Sequence, residues 1–247
     1  MPSWRSENLS FEMANQGTVI VTGASKGIGA AIARQLDQRG FSVAGLSRSG
    51  KSAAGKAYQC DVTDEARLVS VFTKIADEGV ICGLVNNAGL HLTSPSAVLG
   101  TEEYQQVMRL NATAVMTASR EIYPHLVTAG GKIINIGSFF DKMGVPDNLA
   151  YCASKAAVAA MTRCLAVEWA SQGISVINVA PGYVETDLNR ELLTKSKLRT
   201  WLGRRVPVGR PGTPKEVAAL VAALFTEDLP FLTGETIYID GGQGMNH

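Results

Sequence analysis

Thr18-Val-Ile-Val-Thr22, then Gly23-Ala-Ser-Lys-Gly27-Ile-Gly29, then Ala30 to Arg39: this stretch decides the fold. The first five residues are apolar and β-branched, the composition of a short buried strand. A glycine turn follows at once, and the residues after it have helical character. Strand, glycine turn and helix in that order open a βαβ unit. Glycines let the backbone come close to a pyrophosphate. The helix amino end adds unpaired N–H donors and a positive dipole. The spacing is Thr-Gly-x-x-x-Gly-x-Gly, not Gly-x-Gly-x-x-Gly. A tight turn that binds nothing can carry the same glycines; the position at the head of a βαβ unit favours binding.

The same alternation continues outward. Further strands are predicted at Phe41–Leu46, Lys56–Cys60, Ile81–Val85, Lys132–Gly137, Ile174–Ala180 and Glu235–Ile239. The almost continuous apolar run of Ile174–Ala180 fits a parallel strand covered on both faces. Helices are predicted from Asp64 to Glu78, Thr101 (as N-cap) to Leu126, Ala153 to Glu168, and Thr213-Pro214 to Phe225. Residues 188–213 read as a helix and loop, a candidate lid. Met1–Gly17 is a polar extension without an apolar core, set apart from the domain at 18–247. The prediction is one α/β domain: a doubly wound, parallel, seven-stranded sheet with helices on both faces. Ligands on such sheets sit beyond the carboxyl strand ends. Gly23–Gly29, Asn86–Gly89, Ser138 and Pro181 all fall on that edge.

Composition narrows the function. Hydrophobic residues make up 46% of the 247, enough for a sizeable core. Lys+Arg 23 against Asp+Glu 22 leaves no basic footprint for nucleic acid or an anionic membrane. No apolar run is long enough to span a bilayer. Cys60, Cys82, Cys152 and Cys164 lack metal or disulfide spacing and suit packed thiols in a reducing, cytoplasmic setting.

Two places on the ligand edge carry chemistry. Tyr151 and Lys155 are four apart on one helix, and Ser138 closes the strand before it. An ammonium beside a phenol favours the phenolate, lowering the tyrosine pKa from about 10 toward neutrality. Such a phenol can exchange a proton with an alcohol oxygen, which Ser138 can hold. Taken alone, the pair describes an ordinary surface Tyr and Lys far better, since the spacing arises often by chance. At the end of the second strand stands Ser47-Arg48-Ser49, where a carboxylate would take the ribose 2′-OH of NAD. Arg48, with Lys26 nearby, suits a 2′-phosphate instead, and the neighbouring hydroxyls, Ser47 among them, can add donors to the cofactor. Arg48 alone equally fits a solvated loop; the missing carboxylate and Lys26 favour NADP(H).

Thr22-Gly-Ala-Ser-Lys-Gly-Ile-Gly29, Asn86-Asn-Ala-Gly89, Asn111, Ser138, Tyr151-x-x-x-Lys155 and Pro181-Gly182 stand in one order and spacing. In this the chain resembles the short-chain dehydrogenase/reductase family over nearly its whole length. The resemblance implies a Rossmann fold and hydride transfer between a nicotinamide and a ketone or secondary alcohol. It implies Tyr151 as general acid, Ser138 orienting the carbonyl, Lys155 on the nicotinamide ribose, and Asn111 holding a relay water. Gly23, Ser25, Lys26, Gly27, Ile28 and Gly29 would line the pyrophosphate and adenosine ribose. Asp61 and Val62 would flank adenine. Asn87, Ala88 and Gly89 would contact the cofactor, and Pro181, Gly182, Val184 and Thr186 its carboxamide. No metal is implied. A homotetramer, formed through helices near 102–126 and 151–170, is.

Val179–Asp187, Val206–Gly212 and Leu232–Thr236 make the chain most similar to the 3-oxoacyl-[acyl-carrier-protein] reductase branch. Members of that branch tend to carry basic residues before the Ser-bearing strand; Thr128-Ala-Gly-Gly131 has none. Phe139 and Phe140 follow Ser138 where smaller residues are common, either packing or lining an apolar pocket. The expectation is an NADPH-dependent ketone reductase on a small or medium hydrophobic substrate. The alternatives are the acyl-carrier-protein reductase itself and a non-catalytic NADP-binding scaffold.

Overall fold

The computed structural model describes residues 17–186 and 196–245. Residues 1–16 of the extension and 188–195 of the expected lid lie outside them. Seven parallel strands form one sheet in the order β3-β2-β1-β4-β5-β6-β7. They are β1 Thr18–Thr22, β2 Ser42–Ser47, β3 Lys56–Gln59, β4 Ile81–Asn86, β5 Gly131–Ile136, β6 Ile174–Pro181 and β7 Thr236–Ile239. The doubly wound sheet is as expected, with boundaries displaced by a residue or so.

Helices cover both faces. On one face α1 (Gly27–Gln38) packs beside α7 (Pro214–Thr226), and Phe41 meets Phe225 edge-on at 5.9 Å. On the other lie α2 (Glu65–Glu78), α4 (Ala114–Leu126) and α5 (Leu149–Trp169), burying Leu68, Phe72, Ile122 and Leu126 completely. Thr213 and Glu216 make a reciprocal capping box that starts α7 at Pro214. No helix among the described residues is long and apolar enough to cross a membrane.

Asn86, Asn135 and Asn178 stand side by side in register on β4, β5 and β6. Asn86 Nδ2 donates to Asn135 Oδ1 at 2.9 Å and to Ser119 Oγ at 3.1 Å; Asn135 Nδ2 donates to Thr162 Oγ1 at 2.9 Å. A one-residue slip of β4 against β5 would strand these amides in the core, so the ladder helps to fix register. The sequence reading placed Asn86 in the loop; it is the last residue of the strand.

The predicted Thr101–Leu126 helix is divided. After α3 (Thr101–Met108), residues Arg109–Thr113 widen into a π-helical turn before α4. Such turns occur mostly as single bulges, often at functional sites. Gly100, not Thr101, is the N-cap. The helix predicted from Ala153 opens earlier, at Leu149, with Tyr151 in its first turn. Residues of the candidate lid that are described include α6 (Ser196–Arg205); its Leu202, and Val206 just after the helix, are buried against Tyr183.

Candidate active site

Strand order reverses between β1 and β4, so their carboxyl ends part to leave a crevice. Thr22 ties its floor together. Its Oγ1 accepts from the backbone N–H of Asn87 at 2.9 Å and of Ala88 at 3.0 Å, and donates to the Val85 carbonyl. A recess lined by Thr22, Val62, Ala88 and Leu110 opens beside it.

The glycine turn sits over this crevice. Gly23 has φ +69°, a left-handed conformation that penalises a side chain. At Gly29 a Cβ would collide with the Gly23 carbonyl oxygen and the Asn87 amide. Lys26, the N-cap of α1, makes no side-chain cap, and the first turn of the helix holds no acid. Ser25 and Lys26 are exposed. A cradle of backbone, a positive helix end and free donors suit a pyrophosphate. Gly29→Ala should cost about 1–3 kcal/mol of stability, because backbone must move. It should also abolish saturable dinucleotide binding; thermal melting and fluorescence titration check the two effects.

Around the cradle the expected contacts divide. Arg48 is exposed at the end of β2, and its charge lies close enough to help hold the Asp61 carboxyl below its usual range, after the stronger backbone bond from Thr63. Ser47 departs from expectation: its hydroxyl is buried, donating to the Lys51 carbonyl at 2.7 Å and accepting from the Lys51 N–H at 3.0 Å. That hydroxyl shapes the turn that presents Arg48. Asn87 likewise spends its side chain on the protein, donating to the Thr22 carbonyl at 2.9 Å. Ile28 lies part-buried between the last two glycines of the turn, Val62 lines the recess with Ala88, and Gly89 is exposed beside Asn111. Pro181 ends β6, and the Gly182 N–H bonds to the Ile239 carbonyl at 3.1 Å. Val184 bridges to Gly212, which returns Thr186 to the glycine turn; its methyl lies 3.9 Å from where a Gly27 Cβ would be.

The second group lies across the crevice. Ser138 leaves β5 extended, and its Oγ accepts from the Phe140 N–H at 3.3 Å. Burial pushes the Tyr151 phenol up to about 12, while a hydrogen bond with Ser138 acts in the opposite direction. Lys155 is buried; its Nζ donates to the Ile136 carbonyl at 2.8 Å and lies 5.6 Å from the centre of the Tyr151 ring. Burial lowers its pKa to about 8. The expected phenolate is therefore corrected: removal from water favours the neutral form of both groups. At pH 7 the site holds a protonated phenol, already the form needed to give a proton away.

Asn111 sits on the π turn and is buried. Its Oδ1 accepts from the Leu90 N–H and its Nδ2 donates to the Leu90 carbonyl, both at 2.8 Å; Nδ2 also reaches Ser154 Oγ at 3.2 Å. The amide joins the strand-end loop to α5, close to Tyr151 and Lys155 in sequence. Nothing in the residue pattern announced the π turn; an Asn in mid-helix was the one trace of it.

His91, outside the expected set, also belongs here. Its ring lies 4.3 Å from that of Tyr151, and its Nε2 bonds to Asn148 Oδ1. Asn148 Nδ2 donates to the Pro146 carbonyl, so its Oδ1 is the acceptor and His91 Nε2 carries the proton.

A cradle for a dinucleotide facing a Ser–Tyr–Lys group across one crevice defines a class, the oxidoreductases built on a doubly wound parallel sheet. The sequence profile of a family described as enoyl-(acyl carrier protein) reductase matches residues 23–244. The chain is 38% identical over 237 residues to the 3-oxoacyl-[acyl-carrier-protein] reductase of Vibrio cholerae serotype O1, covering 92% of this chain and 96% of that protein. It is 35% identical over 244 residues to 3beta-hydroxysteroid dehydrogenase 1 of Eggerthella lenta, covering 92% and 94%. A gluconate 5-dehydrogenase from Burkholderia cenocepacia, solved with NADP and tartrate, superposes with a TM-score of 0.87 at 30% identity, over 95% of this chain and 97% of that one. The chain belongs to the short-chain dehydrogenase/reductase family.

Proposed function

We propose that this protein reduces a ketone to a secondary alcohol, or runs the reverse, with NADP(H) as cofactor. The observation that carries the reading is the meeting of Ser138, Tyr151 and Lys155 on the ligand edge of the sheet, Tyr151 hydrogen-bonded with Ser138 and the Lys155 Nζ 5.6 Å from the Tyr151 ring. The dinucleotide, when bound, supplies the hydride. Gly23–Gly29 would hold its pyrophosphate, Arg48 and Lys26 its 2′-phosphate, and Asp61, Val62 and Ala88 its adenosine end. Pro181, Gly182, Val184 and Thr186 would border its carboxamide. Ser138 orients the ketone oxygen, and the Tyr151 phenol gives its proton to that oxygen as negative charge develops there. The Lys155 ammonium, held by the Ile136 carbonyl, favours loss of that proton. Asn111 fixes the loop behind Tyr151; a relay water at this amide is a further part of the reading.

A panel of ketones, sugars and acyl thioesters, followed by NADPH absorbance, tests the reading; no oxidation with any of them would refute it. Arg48→Ala should lower kcat/KM for NADPH about tenfold and leave the NADH value nearly unchanged, since it removes one charge-assisted contact. An unchanged ratio would remove Arg48 from the 2′-phosphate site.

The named relatives act on an acyl carrier, a steroid and gluconate, which leaves the substrate open. The acyl-carrier reading finds support in identity to those reductases, and a carrier-linked substrate reduced much faster than its free thioester would favour it. Residues 18–247 form the catalytic domain in this reading, working in the cytoplasm. Exposed Met116 on α4, with Leu149 and Val167 on α5, suits self-association into the expected tetramer, which light scattering would test.

A further inference from the structure

From Ser138 outward the site is walled with rings. Phe139 and Phe140 are buried at its base, with centroids 4.6 Å apart. Phe140 stands 5.8 Å edge-on from Tyr151, 6.2 Å from His91 and 6.2 Å from Tyr183. Tyr183 continues the wall to Trp201 on α6 at 5.8 Å. Among the described residues the base is closed and the rim open: His91 is exposed, Tyr151 and Tyr183 are part-buried, and Trp201 is 45% exposed. Open aromatic faces around the proton-donating hydroxyl, on buried aromatic support, make an apolar recognition surface. The His91–Asn148 bond holds one side of it in place.

We propose that the substrate is a flat, ring-bearing apolar ketone whose rings lie against His91, Phe140, Tyr183 and Trp201. This rests on the reductase reading and specifies its substrate class. A ring face meets ring edges and faces over its whole area; a flexible chain must first be ordered to do so. A sugar would set its hydroxyls against ring faces, with hydrogen-bonding atoms only at the ring edges, where a flat apolar ring loses nothing.

The test compares kcat/KM with NADPH for 2-tetralone, 2-octanone, 5-ketogluconate and acetoacetyl-N-acetylcysteamine. Wild type should prefer 2-tetralone over each of the others by about tenfold or more. In Trp201→Ala, and in Tyr183→Leu, which keeps an apolar contact to Leu202 and Val206, that preference should shrink about tenfold, chiefly through KM. Trp201 is exposed enough that its loss should leave the fold intact. Preference for the chain, the sugar or the thioester overturns the inference, as does a ratio unmoved in both variants. If one of those other substrates is turned over and Tyr151→Phe abolishes that turnover, the reductase reading stands and only the ring-ketone inference falls. Absence of NADPH oxidation with any ketone overturns both.

Discussion

Replacing Tyr151 with Phe should lower kcat by about a thousandfold or more, the range of a lost general acid, while the NADPH dissociation constant changes less than about threefold. Phe keeps the ring against His91 and Phe140 and removes only the hydroxyl. The effect should therefore appear in the chemical step and not in melting temperature. Ser138 retains its bond from the Phe140 N–H, so its own position should survive. Stopped-flow reduction and a cofactor titration separate the two readouts. Turnover within about tenfold of wild type would assign the proton to another group. His91 would be the first to examine, because its ring lies 4.3 Å from that of Tyr151.

Lys155→Met should reduce turnover by about a hundredfold or more and yet change the pH dependence of folding in a favourable sense. Lys155 has its pKa lowered by burial from 10.5 to about 8. Below about pH 8 the ammonium is charged in both folded and unfolded chains, and the folded state bears the full desolvation penalty. Between about pH 8 and 10.5 the folded chain has released that proton while the unfolded chain still holds it. The unfolded state binds more protons there, so stability rises with pH through this window. At about 1.4 kcal/mol per pKa unit, the rise is on the order of 3 kcal/mol. Met fills similar volume without a charge, so the variant should lack that rise. Denaturant melts of both proteins at pH 7, 8, 9 and 10 measure the difference directly. Groups far from Lys155 cancel in the difference between the two proteins, and Tyr151, whose raised pKa lowers stability only above about pH 10, titrates beyond the range measured. Identical pH profiles would show that Lys155 is solvated. In the reductase reading, the wild-type rate should also decline above about pH 8 as the ammonium is lost.

Much of this arrangement was legible in the residues themselves. Glycines at 23, 27 and 29 after an apolar run placed the cradle, and the strand runs placed four separate segments on one sheet edge. The order of Ser138, Tyr151 and Lys155 needed only a helix of known pitch. What could not be read depended on contacts between distant segments. Ser47 looked like a ligand donor until the Lys51 backbone claimed its hydroxyl. Asn87 became a brace for the glycine turn. The buried ladder of Asn86, Asn135 and Asn178 depends on strand register, which no local pattern encodes. The direction of the Tyr151 shift was misread for a related reason. Spacing shows that a cation is near, and only the packed structure shows how far both groups are removed from water. His91 carried no signal, because its role comes from Asn148, 57 residues away.

The account rests on the ketone oxygen meeting two hydroxyls at once. A crystal structure of the protein with NADP and a slowly reacting ketone measures this directly. The oxygen should lie about 2.6–3.2 Å from both Tyr151 Oη and Ser138 Oγ. An oxygen bound to His91 or to solvent, with either hydroxyl beyond hydrogen-bond reach, would contradict it.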